Sequence, residues 1–331
     1  MNLMKILLLV SVLFAACKKD RQNSGDKPGG SMEPVPEWAS FTTANSLLPD
    51  DQINALVIDR NDVKWLATSK GLVRMSGSNF TVFTPANSSI PDPYITAVAV
   101  EGNGTVWAGT AAGLVRYTGN SWSVFTAANS LLPDNAITCI AYDSRNKVTW
   151  VGTGEGLARI DGNGQWQQVY TTGVILSMAA DQQGALWVGA FNDFAFRGMI
   201  KKYYNGQWTT YQLHDMGYAS AFPYGLAVDK ANAPVVALAG TVVKSVLRLN
   251  GPGWEELPRP ENASGFKAVL IDGDNIWVGG RTLCRYGSKE SPLVKLPGTD
   301  SPVAAMARDS KGRIWIGTMY GGLFAYYPAT R

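Results

Sequence analysis

Histidine is almost missing from this 331-residue chain, which has only His214. A Ser-His-Asp or Cys-His nucleophilic arrangement needs an imidazole base, so that chemistry has a single place to start. One histidine with two distant cysteines, Cys139 and Cys284, cannot make a closed zinc site. Charge of either sign is sparse: 29 Lys and Arg stand against 26 Asp and Glu, with no basic run beyond Lys18-Lys19 and Lys201-Lys202. A field that weak does not suit nucleic acid. No Gly-rich loop opens a helix, so a nucleotide phosphate has no anchor. Helical periodicity is absent from residue 38 onward, which removes helical solenoids.

What is present is repetition. Hydrophobic content of 46% with 35 glycines and 17 prolines suits a turn-rich β fold. A phrase of the type Trp-Val-Gly-Thr recurs with its first residue at 65, 107, 150, 187, 277 and 315; Val235 stands in a seventh copy that lacks the Trp. The intervals are 42, 43, 37, 48, 42 and 38 residues, and a period of that length marks a repeat architecture. Each phrase follows an apolar run that ends in an acid (Asp59, Glu101, Asp143, Asp181, Asp229, Asp272, Asp309) and a Gly- and Asn-rich turn. A Gly-Leu run comes next, and a fourth run opens on an aromatic, as at Phe80, Trp122, Trp166, Trp208 and Trp254, with Leu293 as the weak copy. Four short strands per unit make one blade of a β-propeller. The seventh copy stops after its third run, at Tyr326-Tyr327-Pro328, and its fourth is supplied by Trp38-Ala39-Ser40-Phe41 at the other end. The expectation is an all-β, seven-bladed propeller over 38–331, closed by an N-terminal strand that completes the last blade. All eleven tryptophans then fall in second or fourth strands and pack between blades.

The first sixteen residues read as a secretory signal: Lys5, an apolar core over 6–14 too short to span a bilayer, and Ala15-Ala16. Phe14-Ala15-Ala16-Cys17 resembles a bacterial lipoprotein lipobox, with Phe14 where Leu is usual. That resemblance implies lipidation of Cys17 and an envelope location, periplasmic or at the cell surface. Residues 17–37 are polar and Gly/Pro-rich, and read as a flexible tether. Cys139 and Cys284 fall in apolar strands of different repeats and are expected to be buried free thiols.

The phrases resemble the two-component regulator propeller repeat. Leu48-Pro49, Ile90-Pro91 and Leu132-Pro133 fit its start; residues 181–189 (DQQGALWVG) and 309–318 (DSKGRIWIGT) fit its centre. In that family the repeats form sensor regions outside the cytoplasm, often in histidine kinases that respond to carbohydrate fragments. No following sandwich domain or kinase is present in this sequence, so the fold carries over and the signalling does not.

The repeated acids are expected to bond their own turns rather than hold a metal. Asp50, Asp92 and Asp134, each after a Pro at the channel mouth, are read as turn caps, with Ca²⁺ or a polyol held by several carboxylates as the alternative. No other cofactor is expected. The strongest departure from repetition is in the fourth copy. Its turn between second and third strands grows to Phe191-Asn192-Asp193-Phe194-Ala195-Phe196-Arg197, and the next link lengthens through His214, Asp215 and Tyr218 toward Phe222 and Tyr224. Both insertions should meet on one face, with Lys70, Glu155, Arg281 and Tyr320 on the same rim. Aromatics among Asn, Asp, Arg and His suit an oligosaccharide or an envelope protein. A satellite core beneath two long loops is the bland reading. A monomeric, non-catalytic binding lipoprotein is the expectation. The alternatives are a glycoside hydrolase or lyase using carboxylates such as Asp193 and Asp215, or a scaffold in an envelope complex.

Overall fold

The computed structural model describes residues 37–170, 173–192, 197–240, 244–258, 265–287 and 293–328. The signal, Cys17 and nearly all of the expected tether lie outside them. The chain divides into two units, Met1–Val35 and Pro36–Arg331, and the strands belong to the second.

Among the described residues every regular element is a strand, and the strands form seven four-stranded antiparallel sheets. Six sheets take consecutive strands, within residues 53–83, 95–125, 137–170, 174–212, 221–256 and 268–294. These are blades one to six. Blade seven uses the strands of residues 303–327, and its outer strand is Glu37–Phe41. That strand runs antiparallel to Leu323–Tyr327, with Trp38 opposite Tyr326 and Phe41 opposite Leu323. The blade count and the closure both match the sequence expectation.

Each residue of the recurrent phrase has a physical task. The second-strand tryptophans are buried, and seven apolar clusters occupy the seven interfaces between neighbouring blades. The glycine is small because the next blade comes close: a Cβ on Gly109 would lie 2.5 Å from Cγ2 of Ile137, and one on Gly317 would lie 2.5 Å from Cγ2 of Ile53. The threonine closes the following turn. Oγ1 of Thr68, Thr110 and Thr153 donates to the carbonyls of Gly71, Gly113 and Gly156 at 2.7, 2.9 and 3.0 Å, and accepts the N–H of Lys70, Ala112 and Glu155. Asp59, Asp143, Asp181, Asp229 and Asp309 accept the backbone N–H two residues on in their own turns, as expected, whereas Glu101 holds the Asn103 and Trp107 side chains and Asp272 pairs with Arg308 of the next blade. Asp181 Oδ1 accepts the N–H groups of Gln183 and Ala185, while Oδ2 accepts the indole N–H of Trp187. Asp309 repeats the pattern with Lys311, Arg313 and Trp315.

The first strand of each blade is innermost, and residues from all seven wall an axial channel of about 250 Å³. Six of these strands carry a β-bulge near their start, for example between Ile95 and Ala97. Polar side chains in three inner strands then reach the next blade's carbonyl at that point: Asn54 to Ile95 at 2.7 Å, Thr96 to Ile137 at 2.6 Å, Ser177 to Pro223 at 2.7 Å. Bulges re-aim side chains, and here they fasten neighbouring blades around the channel.

Candidate functional site

Links between blades and the turns joining second to third strands share one face. Their mutual bonds show it: Lys70 Nζ meets Asp50 Oδ2 at 3.0 Å, Gly154 N–H donates to Ala136 O at 3.1 Å, and Tyr320 N–H donates to Ser301 Oγ at 2.8 Å.

On this face Asp50, Asp92 and Asp134 act as turn caps. Their carboxylates accept the N–H of Gln52, Tyr94 and Ala136, each two residues on. Burial opposes the charge of Asp50, but the Gln52 N–H and the Lys70 ammonium outweigh it and hold the carboxyl below its usual range. Among the described residues no three His, Cys, Asp or Glu side chains lie together as metal ligands. The three acids are therefore not gathered into a cation site.

The long link packs on the third strand of blade four. The backbone N–H of Leu213 donates to the Gly198 carbonyl at 3.2 Å, and Leu213 and Ala221 are fully buried. A Cβ on Gly198 would fall 2.1 Å from the Ala221 carbonyl, so the long link lies directly on the third strand of blade four. The loop turns back on itself through Gly217 N–H to His214 O and Tyr218 N–H to Leu213 O. His214 and Asp215 are exposed at its tip, and Arg197 is exposed across from it. Asp193, Phe194 and Phe196 lie outside the described residues, as does the side chain of Asn192.

The structure divides the remaining aromatics between two environments. Tyr218 turns outward: its hydroxyl donates to Glu256 Oε2 at 3.0 Å, and its ring joins a cluster with Met216 and Trp254. Burial, then the Glu256 carboxylate, push its hydroxyl up to about 12. It thus belongs to the core between blades four and five. Phe191, Phe222 and Tyr224 turn inward instead. Phe191 and Phe222 meet edge to face at 5.3 Å, and Phe222 and Tyr224 lie 6.3 Å apart. Tyr224 is the extra residue of the blade-five bulge, remains 39% exposed, and lines the axial channel. Lys267 Nζ sits 5.7 Å from its ring centroid. Arg281 and Tyr320 stand elsewhere on the rim. Arg281 lines a pocket of about 150 Å³ with Thr282, Asp300 and Ser301, and Tyr320 is 69% exposed.

Sequence reasoning missed the polar side of the channel mouth. Gln52 Nε2 donates to Tyr94 Oη at 3.0 Å and to Asn54 Oδ1 at 2.9 Å, and Asn54, Thr96 and Thr138 line the channel. These residues add no length to the repeat. The available signal was side-chain type at one register: Gln52, Tyr94 and Ala136 immediately precede successive first strands.

Residues 297–320 match the two component regulator propeller family, at the copy containing Trp315. No curated protein matches the sequence. Among solved structures, the chain is similar to virginiamycin B lyase from Staphylococcus aureus (14% identity, TM-score 0.72, 88% of this chain and 99% of that one). It is also similar to the extracellular domain of the putative hybrid two component system BT3049 from B. thetaiotaomicron (16% identity, TM-score 0.72, 89% of this chain and 42% of that one). A third is PorZ, a surface component of the type-IX secretion system of Porphyromonas gingivalis (13% identity, TM-score 0.64, 86% of this chain and 48% of that one). The chain spans less than half the length of the last two. The fold is shared by all three, and this chain is a seven-bladed β-propeller carrying a two component regulator propeller repeat at residues 297–320.

Proposed function

We propose that this protein is a non-catalytic binding propeller of the cell envelope that takes an oligosaccharide at the channel mouth on the face of the blade-four insertions. The observation that carries the reading is the line Phe191–Phe222–Tyr224, which runs from the inserted turn to the channel wall. It ends at an exposed ring beside Lys267. Across the channel mouth, on blades one and two, stand the Gln52 amide and the Tyr94 hydroxyl. Sugars present apolar ring faces and hydroxyl edges, and a site for them combines aromatic surface with convergent amide and hydroxyl groups. Envelope location is supported by the signal and lipobox pattern at residues 1–17, together with the extracellular and surface placement of two structures that share the fold. Glycoside hydrolysis needs two carboxyl groups flanking one bond. Among the described residues the channel lining is built of amide, hydroxyl and apolar side chains, which suits binding of a neutral polyol.

The test is an oligosaccharide binding screen of the parent and of Tyr224→Ala, with Tyr320→Ala as a same-face control. Tyr224→Ala should weaken glycan binding about tenfold, as expected for loss of one aromatic platform of about 1–2 kcal/mol, and Tyr320→Ala should leave it unchanged. Equal binding by parent and Tyr224→Ala would remove the channel mouth as the site. Capture of an envelope protein with no glycan response would favour the scaffold alternative. Mass analysis of the membrane-extracted protein, with Cys17→Ser as control, tests the anchor.

A further inference from the structure

On the face opposite the links, the interface between blades three and four holds a groove of about 350 Å³ that is separate from the channel mouth. Its floor is Trp150. In blades two, four and seven the equivalent indole N–H is accepted by the turn acid, at Glu101, Asp181 and Asp309. In blade three the free oxygen of Asp143 is taken by Asn146 Nδ2 at 2.8 Å, and Trp150 Nε1 is left buried with no partner. The groove is open because a stacking ring is missing. In blades one, two, four and seven a fourth-strand aromatic (Phe83, Phe125, Tyr211, Phe41) lies 5.8–6.2 Å from the second-strand Trp. In blade three the register shifts between Leu157 and Ala158, and the matching Tyr170 packs on Trp208 instead.

The groups left in the groove are complementary to one kind of ligand. The Arg159 guanidinium lies 5.9 Å from the Trp150 ring centroid, is half-buried, and has no carboxylate at ion-pair distance among the described residues. By contrast, Arg248, Arg308 and Arg313 all meet acids. A half-buried fork of N–H donors without an acceptor favours a carboxylate, which it can hold by two parallel bonds. Asp161 lines the same groove, with Oδ1 engaged by the Asn163 and Gln165 N–H groups, and Asn205 and the exposed Tyr204 form its rim. Those groups suit hydroxyls and a sugar ring. Among the described residues a similar arrangement lies between blades six and seven: Trp277, like Trp150 and Trp65, has an unpartnered N–H, Arg285 lies 5.8 Å from its ring, and a groove of about 340 Å³ opens beside Lys295. Among the described residues the charged groups lining it are Arg285 and Lys295, which again suit an anion.

We propose that the groove between blades three and four is a second carbohydrate site that takes an acidic sugar residue, a uronate. Its carboxylate sits on Arg159, its hydroxyls bond Asp161 and Asn205, and its ring lies against Tyr204. This site is independent of the channel mouth. The test is saturation-transfer NMR on the full chain with sodium glucuronate, and glucose as the neutral control. Glucuronate should saturate in the millimolar range and glucose should bind at least about tenfold more weakly, as expected for loss of a charge-assisted pair. Arg159→Gln and Tyr204→Ala should each weaken glucuronate binding several-fold or more, while Tyr224→Ala leaves it unchanged. Tyr204 is exposed, so its variant reads the site even if Arg159→Gln fails to fold. No saturable signal at about 10 mM glucuronate, equal binding of glucose, or a loss that tracks Tyr224 rather than Tyr204 would each overturn the assignment.

Discussion

Closure of the ring by residues 37–41 can be measured at one side chain. Phe41 faces the interface between blades seven and one, 5.8 Å from the Trp315 ring in a stacked pair and 6.3 Å from Phe80. Phe83 occupies the same repeat position in blade one: it lies opposite Leu72 as Phe41 lies opposite Leu323, and it stacks on Trp65 at 6.2 Å. A fully buried Phe→Ala change costs about 3–5 kcal/mol. Both phenylalanines are only half-buried, so a cost of roughly 2 kcal/mol is expected for each, including the lost ring pairs. For a domain of this size that is a fall in Tm of about 3 °C, with a matching drop in the urea midpoint. The paired measurement matters because the two sites differ only in what holds the strand. Phe83 is tied to blade one by a short turn after its own third strand, whereas Phe41 reaches blade seven only through pairing with Leu323–Tyr327. Equal losses therefore mean a docked terminal strand. A Phe41→Ala variant within about 0.5 kcal/mol of the parent, beside a Phe83→Ala variant that loses the full amount, would refute closure by the N-terminal strand.

Turn and interface residues carry further expectations. Gly113 has φ of +134°, and a Cβ there would lie 2.6 Å from the Phe125 carbonyl. Gly113→Ala should therefore cost about 2–3 kcal/mol in urea unfolding. Thr96→Val removes the bond to Ile137 O while keeping shape, and should lower stability by about 1 kcal/mol. Acid sensitivity has a defined sign. At Asp309 burial favours the neutral form, but the Trp315 N–H and the backbone and guanidinium of Arg313 outweigh it and lower the carboxyl; Asp62 is lowered by the hydroxyl and N–H of Ser310. Folded carboxyls depressed in this way add stability above their unfolded value near 4, and it is lost as pH falls through the lower folded values. Urea midpoints should thus hold from about pH 7 to 5 and fall below about pH 4, with a flatter fall for Asp309→Asn. Burial pushes the Cys139 thiol up to about 12 and that of Cys284 up to about 11. In a Cys17→Ser chain, alkylation at pH 8 should be slow at Cys139, which lines the channel, and should reach the buried Cys284 only on unfolding; rapid native labelling of Cys284 would show its strand to be open.

How much the sequence disclosed depends on which residues repeat. Blade number and closure were legible because Trp, Gly and Thr of the phrase each answer a constraint that recurs in most interfaces: a ring to fill it, a gap for a side chain of the next blade, a hydroxyl to close the turn. The insertions of blade four were legible as extra length, and the described part of the turn, Phe191, meets Phe222 at the end of the link. What length could not convey was direction. Tyr218 and Tyr224 stand six positions apart in one link, yet the first turns to Glu256 at the outer edge and the second to the channel. The bulge between Pro223 and Gly225 decides this, and a bulge has no signature in residue counts. The groove on the opposite face was hidden for the same reason. It arises from one shifted pairing at Leu157 and one diverted carboxylate at Asp143, neither of which alters the repeat's length.

Blade five shows why the ring tolerates such departures. It lacks the phrase tryptophan, with Val235 in its place, and so loses the indole N–H that the turn acid accepts in blades two, four and seven. Asp229 nonetheless keeps both duties. Oδ1 accepts Ala231 and Ala233 N–H, and Oδ2 accepts Nε of Arg248 at 2.8 Å from the neighbouring strand. The turn holds because the carboxylate needs a donor at that point and not a particular side chain. The apolar role passes to other side chains: Val235 packs with Val246, Phe266, Val278 and Tyr286 and fills the interface with blade six. In a closed ring each interface is stabilised by its own nearest neighbours, so one blade can be rebuilt without disturbing the rest. The link that leads into this rebuilt blade is also the long one that delivers Phe222 and Tyr224 to the channel. Substituting Trp for Val235 should therefore not restore a regular repeat. It would crowd an interface already filled by Phe266, Val278 and Tyr286, cost about 1–3 kcal/mol by overpacking, and leave glycan binding at Tyr224 unchanged.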